Sequence, residues 1–482
     1  MVADSPQRAP RGARTLVLAQ VAKAGVLLLG LLVLSRLLTP AEFGLVAVPL
    51  ALVGVGEILR DLGLSAAATT AKTLPVSVRD VLFWTNVGIG IVLALGAIIG
   101  GWIYAAISGD PTALPLMAAL ASIFVVNGIG AQYRASLTRD MRFSQVAVVD
   151  TLAGVLGLGV AILLAMSGVG FWALIAQPIV VAVVTAGMSV FFGRWRPSLP
   201  KDFAAARPVL GFGASVAWSQ SLQYLGNNAD TFMLGIWATR SQLGFYTKSF
   251  QLAIQPLGLL KAPLTSVALP VLSRQVDDAE RFERNVLTGQ RLLSYSIVPL
   301  AVLLSAAAHP IVLVVLGEQW AFAIPLVGLL ALAGALQQLV SVSNWIFMAR
   351  NEGRSLRRFS TVSVIVKVVL IVIAAPFGPI AVAFAYLASS VLMAPTVFIW
   401  ACRVGNLRAG RALKDLVPAL CLLTAAGLSA YVVSQTLIGI TTPIWQLLAS
   451  GGAFLVPYAL GMLVPRIRRE IADVVALVFR RR

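Results

Sequence analysis

Charged residues are scarce in this chain: they make up 12% of its 482 residues, whereas 59% of the residues are hydrophobic. A water-soluble protein of this length normally has about a quarter charged residues. So few charges leave too much apolar surface for a protein that faces water. Stretches of roughly 20 apolar residues recur along the whole chain, which is the length that a helix needs to cross a ~30 Å hydrocarbon core. The sequence therefore predicts an all-α polytopic membrane protein.

Cysteine and histidine are also rare, with two cysteines and one histidine in the chain. Cys402 and Cys421 both fall near the predicted cytoplasmic face, where disulfides seldom persist, so no disulfide is expected. We interpret His309, which precedes Pro310 in an apolar segment, as structural rather than as a proton relay. The sequence contains no metal-ligand cluster, no nucleophile constellation and no phosphate-binding glycine loop. We therefore predict no metal site, no cofactor and no enzyme activity.

Basic residues are abundant, and their positions alternate along the chain. About fourteen spans can be drawn, at 14–38, 43–71, 80–107, 112–137, 143–167, 169–192, 209–237, 241–272, 286–316, 321–349, 359–377, 379–401, 416–437 and 443–464. The two termini and every second loop, together with the adjoining ends of the spans, then hold 30 of the 37 Lys and Arg residues. Such an excess is typical of cytoplasmic loops. Both termini are therefore predicted to be cytoplasmic, and nucleic-acid binding is not needed to explain the charge.

Two pairs of similar stretches indicate an internal repeat. RFSQVAVV at 142–149 and RFSTVSVI at 358–365 each follow a basic loop and open a span, and LTPAEFGLV at 38–46 is similar to ATRSQLGFY at 238–246. We interpret the chain as two parallel six-helix lobes followed by two extra helices, a plan in which transporters place the substrate between the lobes. The predicted domains are a cytoplasmic tail (1–13), an N-lobe (14–192), a cytoplasmic linker (193–208), a C-lobe (209–402), a cytoplasmic loop with spans 13 and 14 (403–464) and a cytoplasmic amphipathic helix (465–482).

The first span has no small-residue cleavage site after it, so we expect a retained helix rather than a signal peptide. At the other end of the chain, apolar residues recur at helical spacing between arginines in PRIRREIADVVALVFRRR. This pattern predicts a helix that lies on the anionic inner leaflet.

Several motifs resemble one transporter family. In chain order they are LSRLLTPAEFGLVAV, DLGLSAAA followed by FWTN, YRASLTRDMRFSQVAVVD, NADTFMLGIWATRSQLGFYTKSF and LPVLSRQVDDAERF. They are similar to the polysaccharide flippases of the multidrug, oligosaccharidyl-lipid and polysaccharide exporter superfamily, in the branch of the colanic-acid and lipopolysaccharide exporters. The resemblance implies alternating-access export of oligosaccharide units linked to undecaprenyl pyrophosphate across the cytoplasmic membrane. The implied partners are this lipid-linked oligosaccharide, membrane lipids and, as candidate coupling ions, H⁺ or Na⁺.

Polar residues inside the spans are candidates for the transport site, because a charge at the bilayer centre costs at least ~2.5 kcal/mol. In the seventh span, one polar stripe at helical spacing contains Gln220, Gln223, Tyr224, Asn227 and Asp230. In the eighth span, a second stripe contains Lys248, Gln251 and Gln255. These stripes suit a cavity that hydrogen-bonds sugar hydroxyls, although polar side chains can also join helices within a bundle.

Five cations lie inside the predicted spans: Lys23, Arg60, Lys248, Lys261 and Lys367. Lys23 and Lys248 have no acidic residue near them in sequence, which makes them the better anion ligands. Lys261 can snorkel towards the cytoplasm, and Lys367 can pair with an acid such as Asp150. Glu57, Arg60 and Asp61 share one helix face, either as a gating or ion-coupling cluster, a role also considered for Asp230, or as an internally neutralised ion pair.

Three other functions remain open at this point. A membrane-embedded glycosyltransferase or polymerase is disfavoured, since its chemistry needs a base or metal carboxylates on a substantial outer loop and the outer loops here are short. A multidrug or cation exporter of the same superfamily would favour intramembrane carboxylates over ammonium groups. A scaffold of the glycan assembly complex would tolerate substitutions in the cavity.

Overall fold

The computed structural model describes residues 8–61, 75–108, 111–193, 195–200 and 220–479, and all the regular structure in these ranges is helical. In chain order the helices are α1 (Arg8–Leu37), α2 (Pro40–Asp61), α3 (Val76–Ser108), α4 (Ala113–Arg139), α5 (Phe143–Met166), α6 (Trp172–Phe192), α7 (220–227), α8 (Ala229–Trp237), α9 (Arg240–Ala253), α10 (Gln255–Ser273), α11 (Ala279–Ser296), α12 (Val298–Ala306), α13 (Ala308–Val315), α14 (Ala323–Leu339), α15 (Ser341–Ala349), α16 (Gly353–Ala374), α17 (Pro379–Val404), α18 (Ala409–Thr436), α19 (Pro443–Gly461) and α20 (Pro465–Phe479), with short 3-10 helices at Glu318–Trp320 and Ala375–Phe377.

Twelve helical segments in the described ranges are long and apolar enough to cross a membrane. They correspond to all the predicted spans except the first and the seventh. α1 covers the predicted first span, and the seventh, at 209–237, begins outside the described residues. The prediction of an all-α polytopic membrane protein is confirmed.

Proline divides two spans that the sequence pattern predicts as continuous helices. The eighth span breaks at Ile254, so that α9 ends at Ala253 and α10 starts at Gln255 with Pro256 in its first turn. A proline ring lacks the N–H that would bond to residue i−4 and clashes with that carbonyl, which ends or kinks a helix. The ninth span breaks in the same way at Ile297, ahead of Pro299. The spans predicted at 241–272 and 286–316 thus each contain more than one helix, although Arg240–Ser273 and Ala279–Ala306 each remain one candidate membrane span.

The two similar stretches at 38–46 and 238–246 form the same local structure. In the first, the Thr39 N–H donates to the Glu42 carboxylate at 2.7 Å, and the Glu42 N–H donates to the Thr39 hydroxyl at 3.4 Å. In the second, Thr239 and Gln242 make the equivalent pair of hydrogen bonds, at 3.0 and 3.3 Å. Each is a capping box, which satisfies backbone N–H groups that a helix start leaves unpaired. The repeated sequence is thus a repeated helix start, at the beginning of α2 and of α9.

The chain divides into two compact units, Met1–Phe232 and Met233–Arg482. In the first unit α4 is the central helix and packs against α2, α3 and α6, while α5 packs against α1 and α6. Glycines permit the closest approaches. A Cβ on Gly90 of α3 would lie 2.5 Å from the carbonyl oxygen of Phe124 in α4, and one on Gly130 of α4 would lie 2.8 Å from Ala186 in α6. Small residues allow this close backbone packing in membrane helices.

The segment that follows α6 is attached to the first unit by aromatic side chains. The Trp195 ring lies 5.2 Å from that of Tyr133 and 5.7 Å from that of Phe83, and the Arg79 guanidinium lies 4.3 Å from its centre. The Trp84 indole N–H donates to the carbonyl of Ser198 at 2.9 Å. Residues 195–200, the first part of the predicted linker 193–208, are therefore held against α3 and α4.

The second unit is built around α14, which packs against α9, α12 and α17. The last two predicted spans, α18 and α19, pack on each other, and α18 also packs on α11 and α12. α20 is joined to this unit by polar contacts. The Tyr295 hydroxyl of α11 donates to Glu470 at 2.8 Å, and Arg466 of α20 donates to the backbone carbonyl of Lys414 in α18 at 3.3 Å. Since Glu470 is only 4% exposed, its contact with Tyr295 fixes the first turns of α20.

Candidate functional site

Lys248 lies in the middle of α9 and is only 7% exposed. Its ammonium donates to the side-chain oxygen of Gln251 at 2.9 Å. Other faces of the same helix are apolar or bind neighbouring helices: the Phe250 ring packs edge-on against Tyr386 of α17 at 5.8 Å, and the Ser249 hydroxyl donates to the carbonyl of Ala323 in α14. The sequence-predicted stripe of α9 is therefore a separate polar face that carries a buried cation.

Gln255 is part of the same predicted stripe but belongs to α10. It is the first residue of that helix and is exposed. The proline-induced break at Ile254 thus separates Gln255 from Lys248 and Gln251, which the structure joins by a hydrogen bond.

In the first unit, Glu57 and Arg60 of α2 form an ion pair at 3.2 Å. Asn127 of α4 completes the cluster: its side-chain amide donates to Glu57 at 2.9 Å, and its backbone carbonyl accepts from Arg60 at 3.3 Å. Arg60 is 8% exposed. The sequence pattern pointed to Glu57, Arg60 and Asp61 but not to Asn127, whose only signal is one amide among several polar residues of a largely apolar span. Glu57 and Arg60 thus form an ion pair, which both interpretations given above require.

The polar stripe of the seventh span begins near this cluster on α2. A Cβ built on Gly54, one helical turn before Glu57, would collide with the Tyr224 hydroxyl of α7, so α2 and α7 touch at this glycine. Further along the stripe, Asp230 is 3% exposed and accepts from the Thr231 N–H at 2.8 Å. The remaining members of the stripe are exposed, namely Gln220, Gln223 and Asn227. Tyr224 thus joins the two predicted groups within one unit.

The other intramembrane cations lie in different settings. Lys23 is exposed on α1, and Lys261 is half-buried on α10. The Lys367 ammonium lies 5.7 Å from the centre of the Tyr386 ring, in cation–π geometry. Within the first unit, Asp150 accepts two hydrogen bonds from Arg134 at 2.5 and 2.9 Å. The bidentate geometry is one that guanidinium groups form readily with carboxylates.

Residues 33–325, which are more than half of the chain, match the sequence model of a protein family described as "Polysaccharide biosynthesis protein". The chain belongs to this family. The match confirms the resemblance that the sequence motifs indicated. The matched residues include α2, the Glu57 cluster and the Lys248 stripe.

Two curated relatives are similar over most of the chain. The lipopolysaccharide biosynthesis protein WzxC of Escherichia coli (strain K12) is 26% identical over 345 residues, which are 70% of this chain and 69% of that protein. The succinoglycan biosynthesis transport protein ExoT of Rhizobium meliloti (strain 1021) is 26% identical over 317 residues, or 66% of this chain and 64% of that protein. Both names place the relatives in polysaccharide biosynthesis, in agreement with the family.

Among solved structures, the fold matches the lipid II flippase MurJ in an inward closed conformation, with a TM-score of 0.68. The match covers 94% of this chain and 98% of that one at 13% sequence identity. An identity this low supports the fold alone. The described helices thus share the multi-helix fold of that membrane protein.

Proposed function

We propose that this protein moves a lipid-linked oligosaccharide from one leaflet of the cytoplasmic membrane to the other by alternating access, for polysaccharide biosynthesis. The carrier is undecaprenyl pyrophosphate, and both termini lie in the cytoplasm. The activity moves the substrate and neither makes nor breaks a covalent bond. Membership of the polysaccharide biosynthesis family and a transporter fold support this proposal.

The observation that carries the proposal is Lys248, a cation buried inside a membrane-spanning segment. Placing an ammonium there is costly, and intramembrane ionisable groups generally mark a transport pathway. A diphosphate is the part of a lipid-linked oligosaccharide that gains most from an ammonium. We assign Lys248 and Lys23 to the diphosphate, and we assign sugar hydroxyls to the amide and phenol groups of Gln220, Gln223, Tyr224, Asn227, Gln251 and Gln255.

Glu57, Arg60, Asp61 and Asp230 are proposed to act in gating or ion coupling. Two of them, Arg60 and Asp230, are buried, and Glu57 is bound by both Arg60 and Asn127. A carboxylate held in this way can change partners when helices move, which is the property a gate requires. Whether H⁺ or Na⁺ takes part is a question for transport measurements with each gradient imposed separately.

The rival function is export of a drug or a cation, and the buried carboxylate of Asp230 is the observation in its favour. The two functions differ in substrate charge. Purified protein in proteoliposomes should move a fluorescent lipid-linked oligosaccharide and leave a cationic dye untouched. The reverse result would establish the rival, and binding of glycan enzymes without movement of either substrate would establish a scaffold.

The lysine assignment has its own test in the same proteoliposomes. Lys23→Ala and Lys248→Ala should each slow flipping roughly tenfold, about the loss of one charge-assisted hydrogen bond, while the protein stays folded. Lys261→Ala is the matched control, because it removes a half-buried lysine from α10 and should leave the rate within about twofold. Unchanged flipping in the Lys23→Ala, Lys248→Ala double variant would reject the anion site but not the transport function.

A further inference from the structure

A cavity of about 210 Å³ opens between α11 and the start of α18 in the second unit. Its charged lining comes from Glu280, Glu283, Arg284, Arg291 and Arg411. None of the residues assigned above to substrate lines this cavity. It therefore has no role in the proposed transport site.

The charges around the cavity are largely balanced by pairs that are already formed. Arg411 donates to Glu283 at 3.2 Å, and Arg291 forms an ion pair with Asp415, which is 7% exposed. Glu280 and Arg284, which are both exposed, contribute one further charge of each sign. The site is thus close to neutral while presenting both signs of charge.

One oxygen of Glu283 is left without a donor. Arg411 occupies Oε2, whereas Oε1 is buried and accepts no hydrogen bond from any residue in the described ranges. A buried carboxylate oxygen without a donor costs free energy. A small rotation of the side chain would present this oxygen to a ligand that carries an N–H group.

The position of the cavity along α11 narrows the choice of ligand. Four of the charged lining residues lie between Glu280 and Arg291, at the beginning of the candidate span Ala279–Ala306. This end of the span lies on the side where the basic residues concentrate. We infer from this position that the cavity lies near the phospholipid headgroups of that side.

A diphosphate does not fit this lining, because two carboxylates would face its negative charge. A headgroup with both signs of charge does fit. We propose that the cavity binds a zwitterionic phospholipid headgroup that carries a phosphate and a primary ammonium. The phosphate contacts Arg284 and Arg411, and the ammonium donates to Glu280 and Glu283. The bound lipid bridges α11 and α18, and the site is independent of the proposed transport activity.

The test compares lipids that differ only in N-methylation of the headgroup. Each methyl group replaces one N–H donor while the phosphate and the formal charge stay the same. The full-length protein is extracted from vesicles that hold equal amounts of the unmethylated and the trimethylated lipid, and native mass spectrometry counts the lipids retained. We expect roughly tenfold stronger retention of the primary ammonium form, since a hydrogen bond to a carboxylate is lost on methylation. Equal retention of both lipids, or stronger retention of the trimethylated lipid, would overturn the proposal.

Variants assign the preference to this cavity. Glu283→Gln should reduce the preference for the primary ammonium lipid to about twofold. Glu280→Gln should have the same effect, and because Glu280 is exposed, this substitution should not impair folding. Arg281→Gln is the control: Arg281 is a neighbour in sequence, is absent from the lining and pairs with Asp278 at 3.1 Å on the surface. It should keep the full preference. A preference that survives in the Glu280→Gln, Glu283→Gln double variant would place the lipid elsewhere.

Discussion

At the scale of single residues, the Glu57–Arg60 pair shows how the burial of one partner constrains the other. With Arg60 replaced by Met, the Glu57 carboxylate would keep only the Asn127 amide as a donor in the described structure. A partly buried charge that loses its partner destabilises the fold by roughly 2 to 4 kcal/mol, and removing the second charge relieves part of that cost. We therefore expect the Arg60→Met, Glu57→Gln double variant to unfold at a higher temperature than Arg60→Met alone.

Thermal unfolding in nanodiscs measures this difference, and a surface pair supplies the control. Arg281 and Asp278 are 65% and 47% exposed, so Arg281→Met should cost at most ~1 kcal/mol. If the Arg60→Met, Glu57→Gln double variant is less stable than Arg60→Met, the unpaired Glu57 carboxylate is not the cause of the destabilisation. A stable double variant that fails to flip substrate would instead favour the gating interpretation over the purely structural one.

At the scale of helices, the contact between α3 and α4 depends on the absence of a side chain at Gly90. An added Cβ would lie 2.5 Å from a backbone oxygen of Phe124, which can move only with its helix. Gly90→Ala should therefore destabilise the protein by about 1 to 3 kcal/mol, as overpacking of a close contact does. Unfolding measured by intrinsic fluorescence in nanodiscs tests this expectation.

Gly88 provides the matched control on the same helix, since a Cβ there would meet nothing within 4 Å. Gly88→Ala should be neutral or stabilise by a few tenths of a kcal/mol, because alanine lowers the entropy of the unfolded chain. Equal losses for the two variants would show that the close approach of α3 and α4 is not what requires glycine.

The helical scale also shows which features the sequence can predict. Spans, the basic side and the repeat follow from local patterns: apolar length, the placement of arginine, and the Thr39 and Thr239 stretches that start α2 and α9. Residues that meet across long separations give no such signal. Asn127 lies 70 residues from Glu57, and Tyr295 lies 175 residues from Glu470, so neither contact has a periodic pattern. The helix breaks near Pro256 and Pro299 could have been predicted from these prolines. The spans were instead drawn from apolar length alone, which does not register a proline inside an apolar run.

At the scale of the whole molecule, the distribution of basic residues predicts which ends of the helices face the cytoplasm. In a variant with both Cys402 and Cys421 replaced by Ser, a cysteine placed at exposed Glu318 should react with an impermeant maleimide added to intact cells. A cysteine at exposed Arg354 should be protected until the membrane is opened. The opposite pattern would invert the proposed topology.

Substrate charge gives a second prediction at this scale, and it depends on the proposed function. Moving two negative charges to the positive outside across ~100 mV releases roughly 4 to 5 kcal/mol. Fixed lysines that stay in the protein bind the diphosphate without cancelling that gain. An inside-negative potential, imposed with K⁺ and valinomycin in the absence of H⁺ and Na⁺ gradients, should therefore speed flipping in proteoliposomes. Flipping that ignores the potential would show that substrate charge does not drive transport.

The polar contact that holds α20 also has a consequence for how the protein is made. Chains are synthesised from the N-terminus at ~5–20 residues per second, so Glu470 is added several seconds after Asp415 and later still than Tyr295. Until Glu470 is added, the Tyr295 hydroxyl on α11 lacks the carboxylate to which it donates in the folded protein. A chain that stopped between residues 462 and 469 would keep every candidate membrane span in the described ranges and still lack this hydrogen bond. The contact between Tyr295 and Glu470 therefore forms late in synthesis, after the residues of all the candidate membrane spans in the described ranges have been added.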